Sequence, residues 1–519
     1  MRRAPVPIGL PETILQDVAT AAAADSLVHA DVPAGLPAVE PVAGAPLAPR
    51  VIYPVVDQLV AVRDSNFIFG SVGSGDALLT INGVSVPVEP NGAFLAWLPV
   101  PRGPAATYTL RVQRGSDTAS LVHRIRTPAS SPVAARPSGT APPTPAAVSP
   151  RPVALGARPG GVSDPDRSIP LRPVPNGTYK WLLVPGTVVQ RISSRNGMTR
   201  VRLDSALDAY VNDSEIVELD SSARLPARTV ANMRVIPDTG WTDVIFPLAD
   251  PPPFLIEVGA TSLTVTLYDT RATTDIINYR SGDSLVRAVT WEPVANDRVV
   301  YTIHLRDAPY GHLAFHDGRQ FVVRVRRTPR VDPAHPLRGK IIAVDAGHPP
   351  AGSTGPLGTP EYALTLPIAR ALQAELTRMG ARVVMTRVTD DPLGLAERPA
   401  IARRVGAHAF VSVHLNALPD GVNPFGAHGT GTYFFQPHSE PLARAVQAGM
   451  VRHLRLRDLG VFYDNLAVIR PAWMPSILTE GAFLMVPAQE AAMRTLAGQQ
   501  AYARGIAEGL EAYFRQLAR

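Results

Sequence analysis

From Val51 onward the chain is written in short apolar runs broken by polar positions: NFIFGSV, ALLTINGVSVPV, NGAFLAWLPV and TYTLRVQR. Alternation over four to eight residues is the pattern of half-buried strands. Asn82-Gly83 and Asn91-Gly92 stand between such runs, and each predicts a tight hairpin. The pattern predicts a small β-sandwich over 49–127, preceded by an Ala/Pro/Val-rich segment, 1–48, that lacks periodicity and is expected to be disordered. Residues 128–170 include SGTAPPTPAAVSPRPVALGARPGG, which cannot assemble a core and is expected to be an extended Pro-rich linker. The stretch 171–222 predicts four or five short strands. SLTVTLYDT, RVVYTIHL and HDGRQFVVRVRRTP predict another all-β module over 223–330.

Near Pro336 the texture changes. KIIAVDAG reads as a buried strand, and EYALTLPIARALQAELTRMG carries Leu364, Ile368, Leu372 and Leu376 on one helical face. Pro367, which lacks an amide hydrogen, is expected to open that helix or bend its first turn. Strand runs ARVVMTR, AHAFVSVHLNA, GTGTYFFQ and SILTEGAF then alternate with helical runs ERPAIARRVG and EPLARAVQAGMVRHL and a final helix through Arg519. The fold class predicted is multidomain: several small all-β domains, then a C-terminal α/β domain over 336–519 with a mainly parallel sheet flanked by helices.

Composition narrows the chemistry. The 519 residues contain no cysteine, which excludes disulfides and thiolate chemistry and leaves His and carboxylates as the strong metal ligands. The net charge of +6 is almost all arginine, with Lys180 and Lys340 the only lysines. These arginines are dispersed rather than clustered, which argues against a nucleic-acid partner. The 53 prolines are about twice the usual share, as extended connections require. No run approaches the ~18 apolar residues of a transmembrane segment. The amino terminus, interrupted by Pro11, Glu12 and Asp17, lacks the apolar centre of a secretory signal.

In open α/β sheets, ligands gather beyond the carboxyl ends of the strands. His348, His414 and Glu480 each stand at the end of a predicted strand of one sheet. Glu361 follows His348 across the Gly/Pro-rich loop PPAGSTGPLGTP, which is able to fold back. Two imidazoles and a carboxylate form an open zinc set with one position left to water. A further carboxylate moves protons. The inventory is His348, Glu361 and His414 as Zn2+ ligands and Glu480 as acid/base. Blander readings stand beside these: a core histidine for His414, a helix-terminus charge for Glu361, an ion-pair partner for Glu480. Arg387 and Arg398 are expected to pin loops, and Asn416 to orient substrate or a ligand. His408, His428, His438 and His453 are placed on helix or loop surfaces without a role.

The segments VDAGH, GPLGTPE, VVMTR, FVSVHLNA, GTGTYFF and LAVIRPAWMPSILTEGAF resemble, in order and spacing, the zinc-dependent N-acetylmuramoyl-L-alanine amidases of the Amidase_3 family, over about 338–516. The resemblance implies metal ligands at His348, Glu361 and His414 and a catalytic glutamate at Glu480. It implies peptidoglycan as substrate, cut between N-acetylmuramic acid and L-alanine, and a location in the periplasm or cell envelope. Three departures stand out. Pro349-Pro350 replaces the family's Gly-Gly and Asp, Arg403 replaces an Asn, and LNALPDGVNPFGAHGTGTYFF is too short to hold a blocking helix. The sandwich resembles immunoglobulin-like modules of bacterial surface enzymes, 171–222 resembles SH3-like barrels, and 223–330 resembles the AMIN module of cell-wall amidases. Through these modules, envelope or cell-division proteins become candidate partners. Two other readings are a zinc carboxypeptidase of the wall and a non-catalytic peptidoglycan-binding scaffold.

Overall fold

The computed structural model describes residues 35–62, 64–103, 106–128, 150–160 and 163–518. The expectations for 1–34 and for 129–149 lie outside the described residues.

The first β unit packs a three-stranded sheet (Arg50–Tyr53, Ser65–Ser71, Ala93–Pro99) against a four-stranded one (Val84–Val86, Leu78–Ile81, Thr107–Arg114, Asp117–Arg124). Asn82 and Gly83 both take positive φ, 49° and 83°, and close the two-residue hairpin between Leu78–Ile81 and Val84–Val86. Asn91-Gly92 does otherwise. Its turn, closed by Gly92 N–H donating to Glu89 O at 2.8 Å, carries the chain from one sheet to the other rather than joining neighbours. Residues 35–48, which the sequence pattern places in a disordered segment, are anchored: Leu36 and Val39 are buried, and Leu36 packs into the core of the C-terminal domain.

The expected linker also ends early. Arg151–Leu155 is a strand between Val188–Arg195 and Ile216–Glu218, the fourth of a five-stranded sheet. Val153, Ala154 and Leu155 are all fully buried, and the proline at 152 stands near the strand's start. That sheet, the second β unit, and the three sheets of 228–326, the third, share one apolar core, from Val153 through Trp181 and Phe246 to Val325. No break in packing marks residue 222 as an edge between separate cores.

In the C-terminal domain the elements are β1 (Ile341–Ala346), α1 (Tyr362–Arg378), β2 (Arg382–Met385), α2 (Glu397–Arg404), β3 (Ala409–Asn416), β4 (Thr430–Phe434), α3 (Glu440–Leu454), β5 (Asp458–Tyr463), β6 (Ser476–Phe483), α4 (Pro487–Met493) and α5 (Leu496–Leu517). One six-stranded sheet runs β2-β1-β3-β6-β4-β5. The pairs are parallel except β4–β6. β3 and β6 lie in the middle and are buried along all eight residues each, as near-continuous apolar runs demand. Pro367 sits inside α1, in its second turn rather than its first. The final helix is two, α4 and α5, and β5 is a strand the sequence pattern did not announce. α3 and α5 cross closely because Gly449, Gly505 and Gly509 leave no side chain between them: a Cβ on Gly449 would stand 2.1 Å from Gly505 O.

Candidate metal centre

His348, Glu361 and His414 come together: one ligand atom from each lies within 4.8 Å of the others. β3 carries His414 beside Glu480 of β6 in register, so the two side chains leave the same face of the sheet. β1 ends at Ala346, Gly347 N–H continues the ladder to Val413 O at 3.0 Å, and His348 follows with φ of 57°. Gly347 has no substitute here, because a Cβ would stand 2.4 Å from the His414 ring. The loop after His348 folds back, closed by Glu361 N–H donating to Ser353 O at 2.9 Å.

Glu361 occupies the N-cap position of α1 yet makes no capping bond with its side chain. Its carboxylate turns to the histidines instead. Oε2 lies 3.3 Å from His348 Nε2, and Oε1 lies 3.1 Å from His414 Nδ1. Ser353 N–H and Oγ also donate to Oε2, at 2.8 and 3.1 Å, and Leu415 N–H donates to Oε1 at 3.0 Å. Burial alone would raise this carboxyl's pKa, but the two imidazoles beside it hold it far below the usual range. His348 is pulled down by burial and pushed up more by Glu361, and ends above its ordinary value.

The outward nitrogen of each imidazole is held by the chain. His348 Nδ1 meets Pro350 O at 3.3 Å. His414 Nε2 meets Ser412 Oγ at 3.1 Å, and Ser412 gives its own proton to Asp345 Oδ2 at 2.5 Å. Asp345 is fully buried and accepts from Thr386 Oγ1 at 2.5 Å and from Arg398 Nη1 at 2.9 Å. This carboxylate–hydroxyl–imidazole chain fixes ring orientation and leaves Nδ1 free to face Glu361, as metal-binding histidines require. Asp345, Ser412 and Ser353 were not singled out from sequence. The one available signal was an aspartate inside an apolar strand, VDAG, where a charge must have partners.

Arg387 and Arg398 grip backbone. Arg387 donates to Ala346 O, Gly347 O and Tyr362 O at 2.8, 3.0 and 3.1 Å, and Arg398 to Ala346 O, His348 O and Pro349 O at 2.9, 3.1 and 3.2 Å. Residues 417–429, which follow β3, form turns and no helix. Asn416 is buried and bonds Ala417 N–H at 2.8 Å, with Tyr433 also within its reach. Three of the histidines placed on the surface are elsewhere: His438 is buried, His428 is half-buried against Gln489, and His408 is half-buried with Nδ1 accepting from Ile341 N–H at 2.9 Å.

Glu480 is 2% exposed, and its Oε2 has no hydrogen-bond partner. Burial first, and the charge of Glu361 second, push its pKa well above the ordinary carboxyl value. It forms no ion pair among the described residues. A poised carboxyl with one oxygen unpartnered, beside a two-imidazole, one-carboxylate donor set, fits proton transfer next to a small divalent cation.

The N-acetylmuramoyl-L-alanine amidase family matches residues 342–512. A probable cell wall amidase LytH of Staphylococcus epidermidis is 30% identical over 185 residues, 35% of this chain and 60% of the relative. This chain therefore spans less than two thirds of that relative's length. YqiI of Bacillus subtilis, itself uncharacterised, is 34% identical over 194 residues and is covered over 91% of its length. Among solved structures, the N-acetylmuramoyl-L-alanine amidase of Clostridium difficile 630 is 30% identical, with 34% of this chain and 97% of that one aligned and a TM-score of 0.32. The family match falls on the domain that carries the two histidines and two glutamates, and with the relative covered over 91% of its length it shows that the chain belongs to the N-acetylmuramoyl-L-alanine amidase (Amidase_3) family.

Proposed function

We propose that the chain is a zinc-dependent peptidoglycan amidase that cleaves the bond between N-acetylmuramic acid and the L-alanine of the stem peptide. The observation that carries this reading is the convergence of His348, Glu361 and His414 beside the buried Glu480, whose Oε2 has no hydrogen-bond partner. Zinc held by His348, Glu361 and His414 would supply a Lewis acid and water acidified to about neutral pH. His348 Nε2 and His414 Nδ1 are presented by bonds at their opposite nitrogens, so the donors are oriented before any cation arrives. Glu480 takes a proton from the attacking water and delivers it to the stem-peptide nitrogen as the C–N bond breaks. Its buried position keeps the proton from bulk solvent and gives it the raised affinity that a general acid needs.

On this reading the protein works in the cell envelope, and the immunoglobulin-like, SH3-like and AMIN-like units serve to hold it on the wall or on envelope partners. The sheets at 50–124, 151–218 and 228–326 support small β modules of that kind. Digestion of purified peptidoglycan followed by mass analysis tests the activity. Intact stem peptides and stripped glycan are expected. Stems shortened at the carboxyl end would instead mean a carboxypeptidase, and an unaltered wall a binding scaffold.

A further inference from the structure

Two loops frame the ligand set, and both are held from outside the α/β domain. The first, 349–360, runs from His348 to Glu361. Its Leu357 peptide is fixed on both sides: N–H donates to Glu490 Oε2 of α4 at 2.9 Å, and the carbonyl accepts from Arg50 Nη2 of the β-sandwich at 3.0 Å. The second, 417–429, leaves β3 two residues after His414. Its Asp420 Oδ1 accepts from Tyr53 OH at 2.5 Å and from Asn66 Nδ2 at 2.8 Å, while Asn66 Oδ1 takes Gly421 N–H at 3.0 Å.

This is built like an interior, not like a chance contact. Asn66 is 1% exposed, and both ends of its amide are spent on loop 417–429. Tyr53 stacks with Phe67 and Phe69 at 5.1 and 5.6 Å. Phe67, Phe69 and Leu95 of the sandwich share a core with Leu418, Phe483 and Met485. Gly358 and Gly421 let the sandwich come close: a Cβ on either would strike Arg50 Nη2 at 2.4 Å or Val62 Cγ1 at 2.8 Å. A tethered wall-binding module that moves freely would need none of this.

We infer that Tyr53 and Asn66, acting through Asp420, and Arg50, acting through Leu357, are positioning residues of the metal centre, which makes the first β module part of the catalytic unit. The inference rests on the proposed zinc amidase reading. Backbone ordering of the ligand loops is transmitted to His348, Glu361 and His414, and outer supports of this kind carry roughly 10- to 100-fold in metal affinity or activity.

The test uses the full chain with Tyr53→Phe/Asn66→Ala, Asp420→Ala, Asp420→Asn, and Arg124→Ala as a control at an exposed pair on the sandwich's other sheet. Zinc release to a chelator is expected to accelerate about 10- to 100-fold in the first two, with kcat falling and KM changing less. Hydrogen exchange should rise within 350–360 and 417–427. Asp420→Asn keeps an acceptor for both donors and should restore most of each property, and Arg124→Ala should match the parent. If the double variant fails to fold, Tyr53→Phe and Arg50→Ala singly answer the same question. Parent-like zinc release, or exchange that rises only inside the sandwich, overturns the inference. A parent that neither holds zinc nor cuts wall sinks the amidase reading instead, and the exchange of the two loops then decides the clamp alone.

Discussion

Glu480→Gln separates what Glu480 does for chemistry from what it costs the fold. The side chain is 2% exposed with one oxygen unpartnered, and its pKa is raised by burial and by Glu361. A carboxyl whose native pKa exceeds its unfolded value of ~4.3 binds more protons folded than unfolded as pH rises above that value. Native stability must then fall with pH by about 1.4 kcal/mol per unit, up to the native pKa. Gln removes the ionisation while keeping the shape. For metal-stripped protein, the variant's advantage over the parent should therefore widen as pH rises from 5 towards 7. Over the same range, stem-peptide release should drop about 10²- to 10⁴-fold, the usual share of a general acid–base, with zinc content unchanged. The assay pairs calorimetry of chelator-treated protein at three pH values with mass analysis of released peptides. A stability gap that is flat or narrows with pH would mean that Glu480 is ionised in the native state. Turnover within tenfold of the parent would remove it from the reaction.

Other outcomes follow from the same geometry. Ser412→Ala cuts the link from Asp345 to His414 Nε2 and should weaken zinc binding about 10- to 100-fold, read by competition with a chromogenic chelator. Gly347→Ala places a methyl against the His414 ring and should abolish metal retention while leaving the β modules' circular dichroism unchanged. His312 and His438 face each other across the junction of the third β unit and the α/β domain, ring centroids 6.1 Å apart. Burial lowers their pKa values to about 4 and about 3. The unfolded chain takes up protons first as pH falls from ~6.5, so stability present above that value is lost towards pH 4, by about 3 kcal/mol for His312 alone. His312→Phe should flatten the acid limb of the melting profile. An unchanged limb would mean that His312 is not buried neutral.

His348, His414 and Glu480 stand out as candidates because each is a metal-competent or acid–base side chain at or just past the end of an apolar strand run. His414 follows FVSV and Glu480 follows SILT, and a one-dimensional pattern exposes that. Glu361 was legible only through its loop, since a glutamate at a helix start is ordinary; its turn towards the imidazoles is tertiary. Asp345 was passed over although it sits in the same VDAGH stretch, because its partners Thr386, Arg398 and Ser412 lie 41, 53 and 67 residues away. The strand Arg151–Leu155 was hidden by the Pro-rich text around it: two neighbouring strands supply the hydrogen bonds that local propensity withholds. The clamp from the sandwich has no periodic signature at all, with Tyr53 and Asp420 separated by 367 positions.

The departures from the family pattern acquire reasons once the β units are in place. Arg403, where the Amidase_3 resemblance leads one to expect an asparagine, forms an ion pair with Asp166 in the loop after the strand Arg151–Leu155, and Arg404 lies 3.8 Å from the same carboxylate. Arg326 of the third unit donates to Gly406 O and Ala407 O just beyond, at 3.0 and 2.7 Å, and Tyr310 OH donates to His408 O at 2.5 Å. The turn that launches β3 towards His414 is thus held by one β unit at its start, and the loop that leaves His414 is held by another at its end. Pro349-Pro350 fits the same logic. A loop gripped by Arg398 at the His348 and Pro349 carbonyls and by Arg50 at Leu357 has no use for the freedom that Gly-Gly would bring. Substitutions that would loosen an isolated catalytic domain are matched here by contacts that only a chain carrying its β units can make.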